Sequence, residues 1–280
     1  MVIKELLKKA ENKFKNADFE SAVNEAMILM CHVLKKNKTW LIIHMNDEVN
    51  SEEENFFNEI VELRLSHMPI KYILGTSEFM SLEFKVTPDV LIPRPDTEIM
   101  VYEILEKFKN EKLEILDLCC GSGCIGISLL KNLPNANVTF VDISDGALKI
   151  TKENAELHKV ANRAEIIKKD ILKDKICGNF DIILSNPPYI KYDDYYGLQE
   201  DVRLYEPKIA LVAEDDGYEF YKKIIKDYSA SVKENGFMLL EAGIGQADTI
   251  VKLMDETKLF KNIYTVKDYN NIDRITVGGK

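Results

Sequence analysis

The sequence predicts an α/β protein: an open, mostly parallel sheet with helices on both faces, preceded by a small all-helical segment. Three observations predict it. From Leu113 onward, short apolar runs alternate with segments of helical periodicity, and that alternation demands crossovers that bury a sheet on both sides. Before about residue 70, apolar residues recur only at helical spacing. Two final apolar runs flank Asn270-Asn271, as an antiparallel pair closing the sheet would. A chain of 280 residues has room for one large domain and a small one.

Taken in order, Val2, Ile3, Leu6, Leu7 and Ala10 share one helix face. Asp18 is placed to cap a second helix, and Ser51 with Glu54 fits a capping box for another that Pro69 ends. Then the pattern turns β-like at Tyr72-Ile73-Leu74, Leu82-Glu83-Phe84-Lys85-Val86 and Val90-Leu91-Ile92, punctuated by Gly75 and Pro88. Pro93-Arg94-Pro95-Asp96-Thr97-Glu98 opens a helix reaching Leu105, with proline and acids in its first turn. Strands follow at 113–118, 138–141, 165–167, 180–184 and 237–240, and helices at 125–130, 145–158, 217–232 and 246–254. The domain expectation is therefore a helical 1–70, a hairpin linker 71–92 and an α/β domain 93–280.

The formal charge is −10, and an acidic chain gains nothing from counterion release, so general nucleic-acid binding is not expected. Lys35, Lys36 and Lys38 read as a solvated helix end. No apolar leader is visible at the start, and apolar stretches meet charges before reaching the ~20 residues of a membrane span. The expectation is a cytoplasmic protein with no membrane contact, working as a monomer. Five cysteines, three of them at Cys119, Cys120 and Cys124, do not form a disulfide framework, and four scattered histidines give no metal site. The three are read as small packing residues.

Ile115-Leu116-Asp117-Leu118-Cys119-Cys120-Gly121-Ser122-Gly123 is a strand entering a small-residue turn, with a helix start beyond. Small residues let the backbone approach a ligand, and the helix offers free N–H groups. Asp142 ends the second strand, where a carboxylate can accept both hydroxyls of a ribose. A glycine-rich turn also fits a dinucleotide, but Asp117 beside it would repel a pyrophosphate and attract the ammonium or sulfonium side of S-adenosyl-L-methionine. Asp170, after the third strand, either bonds an adenine amino group or caps the next turn.

The run from Phe180 to Ser185 stops at Asn186-Pro187-Pro188-Tyr189. Pro187 forces Asn186 into an extended conformation, and neither proline has an N–H. What results is a rim of acceptors at a strand's carboxyl end, where open α/β sheets bind ligands. Such a rim suits a planar –NH2: the Asn186 side-chain oxygen and the Pro187 carbonyl accept its two hydrogens, and Tyr189 offers a flat face. Accepting both hydrogens pushes electron density onto a poorly nucleophilic amide nitrogen and aims it at a methyl donor. The same rim would serve an exocyclic amino group of a DNA or RNA base.

With these residues in place, the chain resembles the peptide chain release factor glutamine methyltransferases over nearly all its length. The resemblance rests on Tyr72-Ile73-Leu74-Gly75, on the segment from Val90 through Glu98, on Ser185 through Ile190, on Tyr205-Glu206-Pro207 with Ala210-Leu211, and on Asn271-Ile272-Asp273-Arg274. It implies a helical substrate-recognition domain and a Rossmann-like class I methyltransferase domain, its seven-stranded sheet mostly parallel with an antiparallel edge. The implied substrate is the glutamine of the Gly-Gly-Gln loop in class I release factors; a ribosomal-protein glutamine is the alternative of like chemistry. Asn186, Pro187, Pro188 and Tyr189 match the family's glutamine-binding set, with Asn186 and Pro187 as the catalytic pair. Asp117, Cys119, Cys120, Gly121, Ser122, Gly123, Asp142, Asp170, Ile171 and Asn186 fall to the cofactor, which leaves as S-adenosyl-L-homocysteine. Two departures are Cys119, where the family commonly has glycine, and Lys71, where glutamine is frequent.

Overall fold

The computed structural model describes Met1–Lys280. Its helices are α1 (Ile3–Asn16), α2 (Ala22–Leu34), α3 (Lys38–Ile43), α4 (Ser51–Leu65), α5 (Ile70–Leu74), α6 (Glu98–Lys107), α7 (Cys124–Asn132), α8 (Asp145–Leu157), α9 (Glu200–Tyr205), α10 (Glu219–Tyr228) and α11 (Ala247–Glu256). The strands are β1 (Thr76–Phe79), β2 (Leu82–Lys85), β3 (Glu114–Leu118), β4 (Asn137–Asp142), β5 (Ala164–Lys168), β6 (Phe180–Ser185), β7 (Ile190–Lys191), β8 (Val212–Ala213), β9 (Val232–Glu241), β10 (Asn262–Lys267) and β11 (Asp273–Gly279). Two compact units emerge: Met1–Gly75 with Gln199–Tyr205, and Thr76–Leu198 with Glu206–Lys280. No helix is long and apolar enough to cross a membrane.

In the first unit the apolar face of α1 buries Ile3, Leu6 and Phe14 with Leu29 and Met30 of α2 and Phe57 of α4. Each such side chain contributes about 1.5–3 kcal/mol on burial. Arg64 of α4 ties to Glu25 of α2 twice, Nε to Oε2 at 2.7 Å and Nη2 to Oε1 at 3.2 Å. That paired geometry fixes orientation as well as adding energy. Helix α9 joins this unit: the Tyr205 hydroxyl donates to the Ser66 carbonyl at 2.7 Å, and Glu200 lies 3.0 Å from His67.

Three local expectations are corrected here. The capping box of α4 is Asn50 with Glu53, one residue earlier than Ser51 with Glu54: Asn50 accepts from the Glu53 amide at 2.9 Å and its own amide donates to the Glu53 carboxylate at 3.2 Å. Asp18 has φ 58 in the turn and does not cap α2, which starts behind Ser21. Tyr72-Ile73-Leu74 lies in α5, not in a β segment, because Pro69 and the left-handed Gly75 (φ 73) bracket a single helical turn. A short apolar run carries no periodicity to separate the two. Lys35 caps the end of α2 and Lys38 begins α3, in keeping with the reading of that cluster as helix ends.

The second unit is built on one seven-stranded sheet of order β10-β11-β9-β6-β3-β4-β5. Strands β5, β4, β3, β6 and β9 run parallel; β11 is antiparallel to β9, and β10 to β11. The central strands bury apolar side chains on both faces because both are covered: Ile115, Ile182 and Leu184 face one cluster with α7, while Leu116, Ile183 and Leu240 face the other with α10 and α11. Strand order reverses between β3 and β6, which opens a crevice at their carboxyl ends. A hairpin forms from β1 and β2, but Val90-Leu91-Ile92 lies outside any strand, and Val90 and Leu91 line that crevice.

Candidate active site

Strand β3 delivers the cofactor-type turn to the crevice. Cys119 takes φ 57, Gly121 φ 55 and Gly123 φ 76. A left-handed backbone costs a side-chain-bearing residue roughly 1–2 kcal/mol and glycine almost nothing, which gives the physical reason why glycine suits the position of Cys119. Gly123 sits at the start of α7, and its N–H donates to the Cys120 carbonyl at 2.8 Å. Burial pushes the thiols of Cys119 and Cys120 well up and that of Cys124 to about 12. All three are neutral packing groups.

Asp117 lies beneath this turn, 1% exposed. One oxygen, Oδ2, accepts from the Gly126 amide at 3.1 Å, whereas Oδ1 is buried without any partner. Burial, with a further push from Asp142 and against the Gly126 hydrogen bond, raises its pKa to about 8. A buried carboxyl left half-unsatisfied is costly unless a charge completes it. Asp142, at the end of β4, accepts from the Gly121 amide (3.0 Å) and the Ser144 amide (3.0 Å); burial raises its pKa while these amides oppose the rise. Asp170 accepts from the Leu172 amide at 3.1 Å and pairs with Lys173 at 2.8 Å, so it caps its turn and also borders the cleft.

Across the cleft, β6 ends with the Ser185 hydroxyl donating to the Leu118 carbonyl at 2.7 Å, which pins the ends of the two central strands together. Asn186 follows. Its Nδ2 donates to Thr97 Oγ1 at 3.3 Å, and Thr97 Oγ1 donates to Glu241 Oε2 at 2.6 Å. With the amide nitrogen so engaged, Oδ1 is the acceptor left for the cleft. No hydrogen bond within the chain reaches the Pro187 carbonyl oxygen. Two segments far apart in sequence meet here: Arg94 pairs with Glu206, whose second oxygen accepts from the Ile92 amide at 3.2 Å. Arg94 and Pro207 thereby become neighbours on the cleft wall.

Of the residues singled out from sequence, Cys119, Cys120, Gly121, Ser122, Asp142, Asp170, Ile171, Asn186 and Pro188 line one cleft. Asp117, Gly123, Pro187 and Tyr189 lie close to these residues in sequence and are not themselves among those that line it. Tyr189 is held by its backbone: its amide donates to Leu211 at 3.2 Å and its carbonyl accepts from Gln246 Nε2 at 3.2 Å. Burial, then the charge of Glu241, raises its phenol to about 12. Sequence reasoning gave no role to Thr97, Glu241, Ser144 or Phe220. Glu241 carried a signal, being an acid at the end of an apolar strand that is rarely buried unless engaged; Phe220 carried none.

Gly217 supports the segment from outside. It has φ 85, and a Cβ there would overlap the Tyr189 carbonyl oxygen. Gly217→Ala is expected to lower stability by about 1–3 kcal/mol, read by urea unfolding. An unchanged midpoint would mean that the turn yields freely.

Comparison with known proteins follows the same division. A family profile described as the PrmC N-terminal domain matches residues 5–75, and one described as the methyltransferase small domain matches residues 96–199. A protein of Clostridium botulinum named release factor glutamine methyltransferase is 38% identical over 278 residues, 98% of each chain. Its namesake in Geobacter sulfurreducens is 38% identical over 261 residues, 93% of this chain and 90% of that one. A solved methyltransferase from Pyrococcus furiosus shares the fold, with TM-score 0.54 and 18% identity over 80% of this chain and 98% of that chain.

Proposed function

The chain belongs to the release factor glutamine methyltransferase family, and from that premise we propose that it methylates, from S-adenosyl-L-methionine, the side-chain amide nitrogen of the Gly-Gly-Gln glutamine in class I translation release factors, in the cytoplasm. The observation that carries the chemistry is Asn186, which lines the cleft with its Nδ2 bonded to Thr97 and so has Oδ1 to offer as an acceptor.

The residues of the cleft fit that cofactor. The unpartnered Asp117 oxygen wants a cation, Asp142 can accept ribose hydroxyls, and the turn from Cys119 to Gly123 carries no bulky side chain. When bound, S-adenosyl-L-methionine supplies a methyl group made electrophilic by a sulfonium charge. Asp117 and Asp142 would hold its polar groups, and Asp170 with Ile171 would receive its base.

On the substrate side, Asn186 Oδ1 and the Pro187 carbonyl accept the two amide hydrogens and orient the nitrogen lone pair. Neither needs to remove a proton before transfer; once the methyl is on nitrogen, one of the two amide hydrogens leaves as a proton to solvent. Holding both reactants in line contributes on the order of 7–11 kcal/mol to lowering the barrier. Helices of the first unit are assigned to recognising the release factor, a role supported by exposed apolar side chains at Ile42, Ile43 and Phe56.

Incubation with methyl-labelled cofactor and a purified class I release factor is expected to place label on the glutamine of its Gly-Gly-Gln peptide. Label on a ribosomal protein instead would shift the substrate. Label on DNA or RNA would replace the reading with a base amino methyltransferase.

A further inference from the structure

Thr97 is a buried hydroxyl, 2% exposed, between the Asn186 amide and the Glu241 carboxyl. A hydroxyl has one proton to give. With Glu241 ionised, that proton is committed to its Oε2 at 2.6 Å, so the Thr97 oxygen can only accept. Its acceptance from Asn186 Nδ2 fixes which end of the amide faces Thr97 and which faces the cleft. An asparagine free to flip would present its own NH2 to an incoming NH2, donor against donor. Glu241 is itself held from behind, since the Tyr221 hydroxyl donates to its backbone carbonyl at 2.8 Å.

We propose that Thr97 and Glu241 are positioning residues that set the polarity of Asn186, so that the site presents an acceptor and selects an amide NH2. The inference rests on the proposed glutamine methylation and deepens it. Neither side chain has to touch the substrate: their action passes through the Asn186 amide. Thr97→Val keeps the shape of the side chain and removes the proton, whereas Thr97→Ser keeps the proton.

The test is steady-state kinetics on a release factor, with S-adenosyl-L-homocysteine affinity measured alongside. Thr97→Val is expected to lower kcat at least about tenfold, short of the 10²–10³ typical for losing a preorganised polar group outright. Its KM for cofactor and its affinity for S-adenosyl-L-homocysteine should not move, and Thr97→Ser should stay within about threefold of wild type. In the Asn186→Ala background, Thr97→Val should cost nothing further, because the two act as one unit. If Thr97→Val does not fold, Thr97→Ala takes its place in the same comparisons. A Thr97→Val protein as active as wild type, or a loss that multiplies with Asn186→Ala, overturns the relay while leaving glutamine methylation standing. Wild-type protein inactive on every release factor and glutamine peptide overturns both.

Discussion

Asn186→Ala is expected to lower turnover about 10²–10³-fold, equivalent to about 2.7–4 kcal/mol in the barrier, with S-adenosyl-L-homocysteine affinity nearly unchanged. The size follows from what the side chain does. An amide nitrogen is a weak nucleophile because its lone pair is delocalised into the carbonyl. Strong acceptors on both hydrogens offset part of that delocalisation, and Asn186 Oδ1 is the side-chain acceptor that the strand end supplies. Asn186 is one of ten residues assigned to the cofactor, and the hydrogen bond from the Gly121 amide to Asp142 does not pass through it, so most of the binding should survive. Single-turnover kinetics together with calorimetric titration would measure both quantities. Wild-type turnover in Asn186→Ala would end the mechanism.

A second large effect is expected at Asp117. Without a cation its carboxyl titrates at about 8, and a cationic ligand favours the charged form. Binding should therefore release a proton, and affinity should rise about tenfold per pH unit between roughly pH 6 and 8. Titration in two buffers of different ionisation enthalpy would show the proton directly. Asp117→Asn should bind about ten- to a hundredfold more weakly at pH 8 and lose the slope. A pH-independent affinity in the wild type would show that the cationic part of the ligand is met elsewhere.

The same groups set a stability trend of definite sign. The folded pKa of Asp117 is raised from 3.8 to about 8, and that of Glu241 from 4.5 to about 7, chiefly by burial. The folded, ligand-free chain thus keeps protons that the unfolded chain has released. Their contribution is fully present below the unfolded values of 3.8 and 4.5 and is lost as pH rises through about 7 and about 8. The melting temperature of Asp117→Asn should fall less over that window than that of the wild type.

Much of this was legible because buried parallel strands announce themselves. The runs that became β3 and β6 are mostly apolar, and Asn186-Pro187-Pro188-Tyr189 marks where β6 stops. Asp142 was legible for the same reason, as the acid closing β4. What sequence could not give was pairing across distance. Thr97 and Glu241 stand 144 residues apart, and nothing local to either says that they share a proton. Arg94 and Glu206 are likewise joined only by the fold. The short elements β7, β8 and α9 were missed because two to six residues carry too little periodicity to read. The backbone bonds that hold Tyr189, its carbonyl to Gln246 and its amide to Leu211, were equally out of reach, since both partners lie far along the chain.

The thiols around the crevice have a practical consequence. Because the thiolate is the reactive form, Cys119, Cys120 and Cys124 should be indifferent to alkylating reagents and mild oxidants despite their place in the turn. Cys177 is exposed on a loop remote in sequence from the cofactor turn. A maleimide dye should therefore mark the folded protein there first, giving a fluorescent reporter that leaves the methyl-transfer machinery untouched.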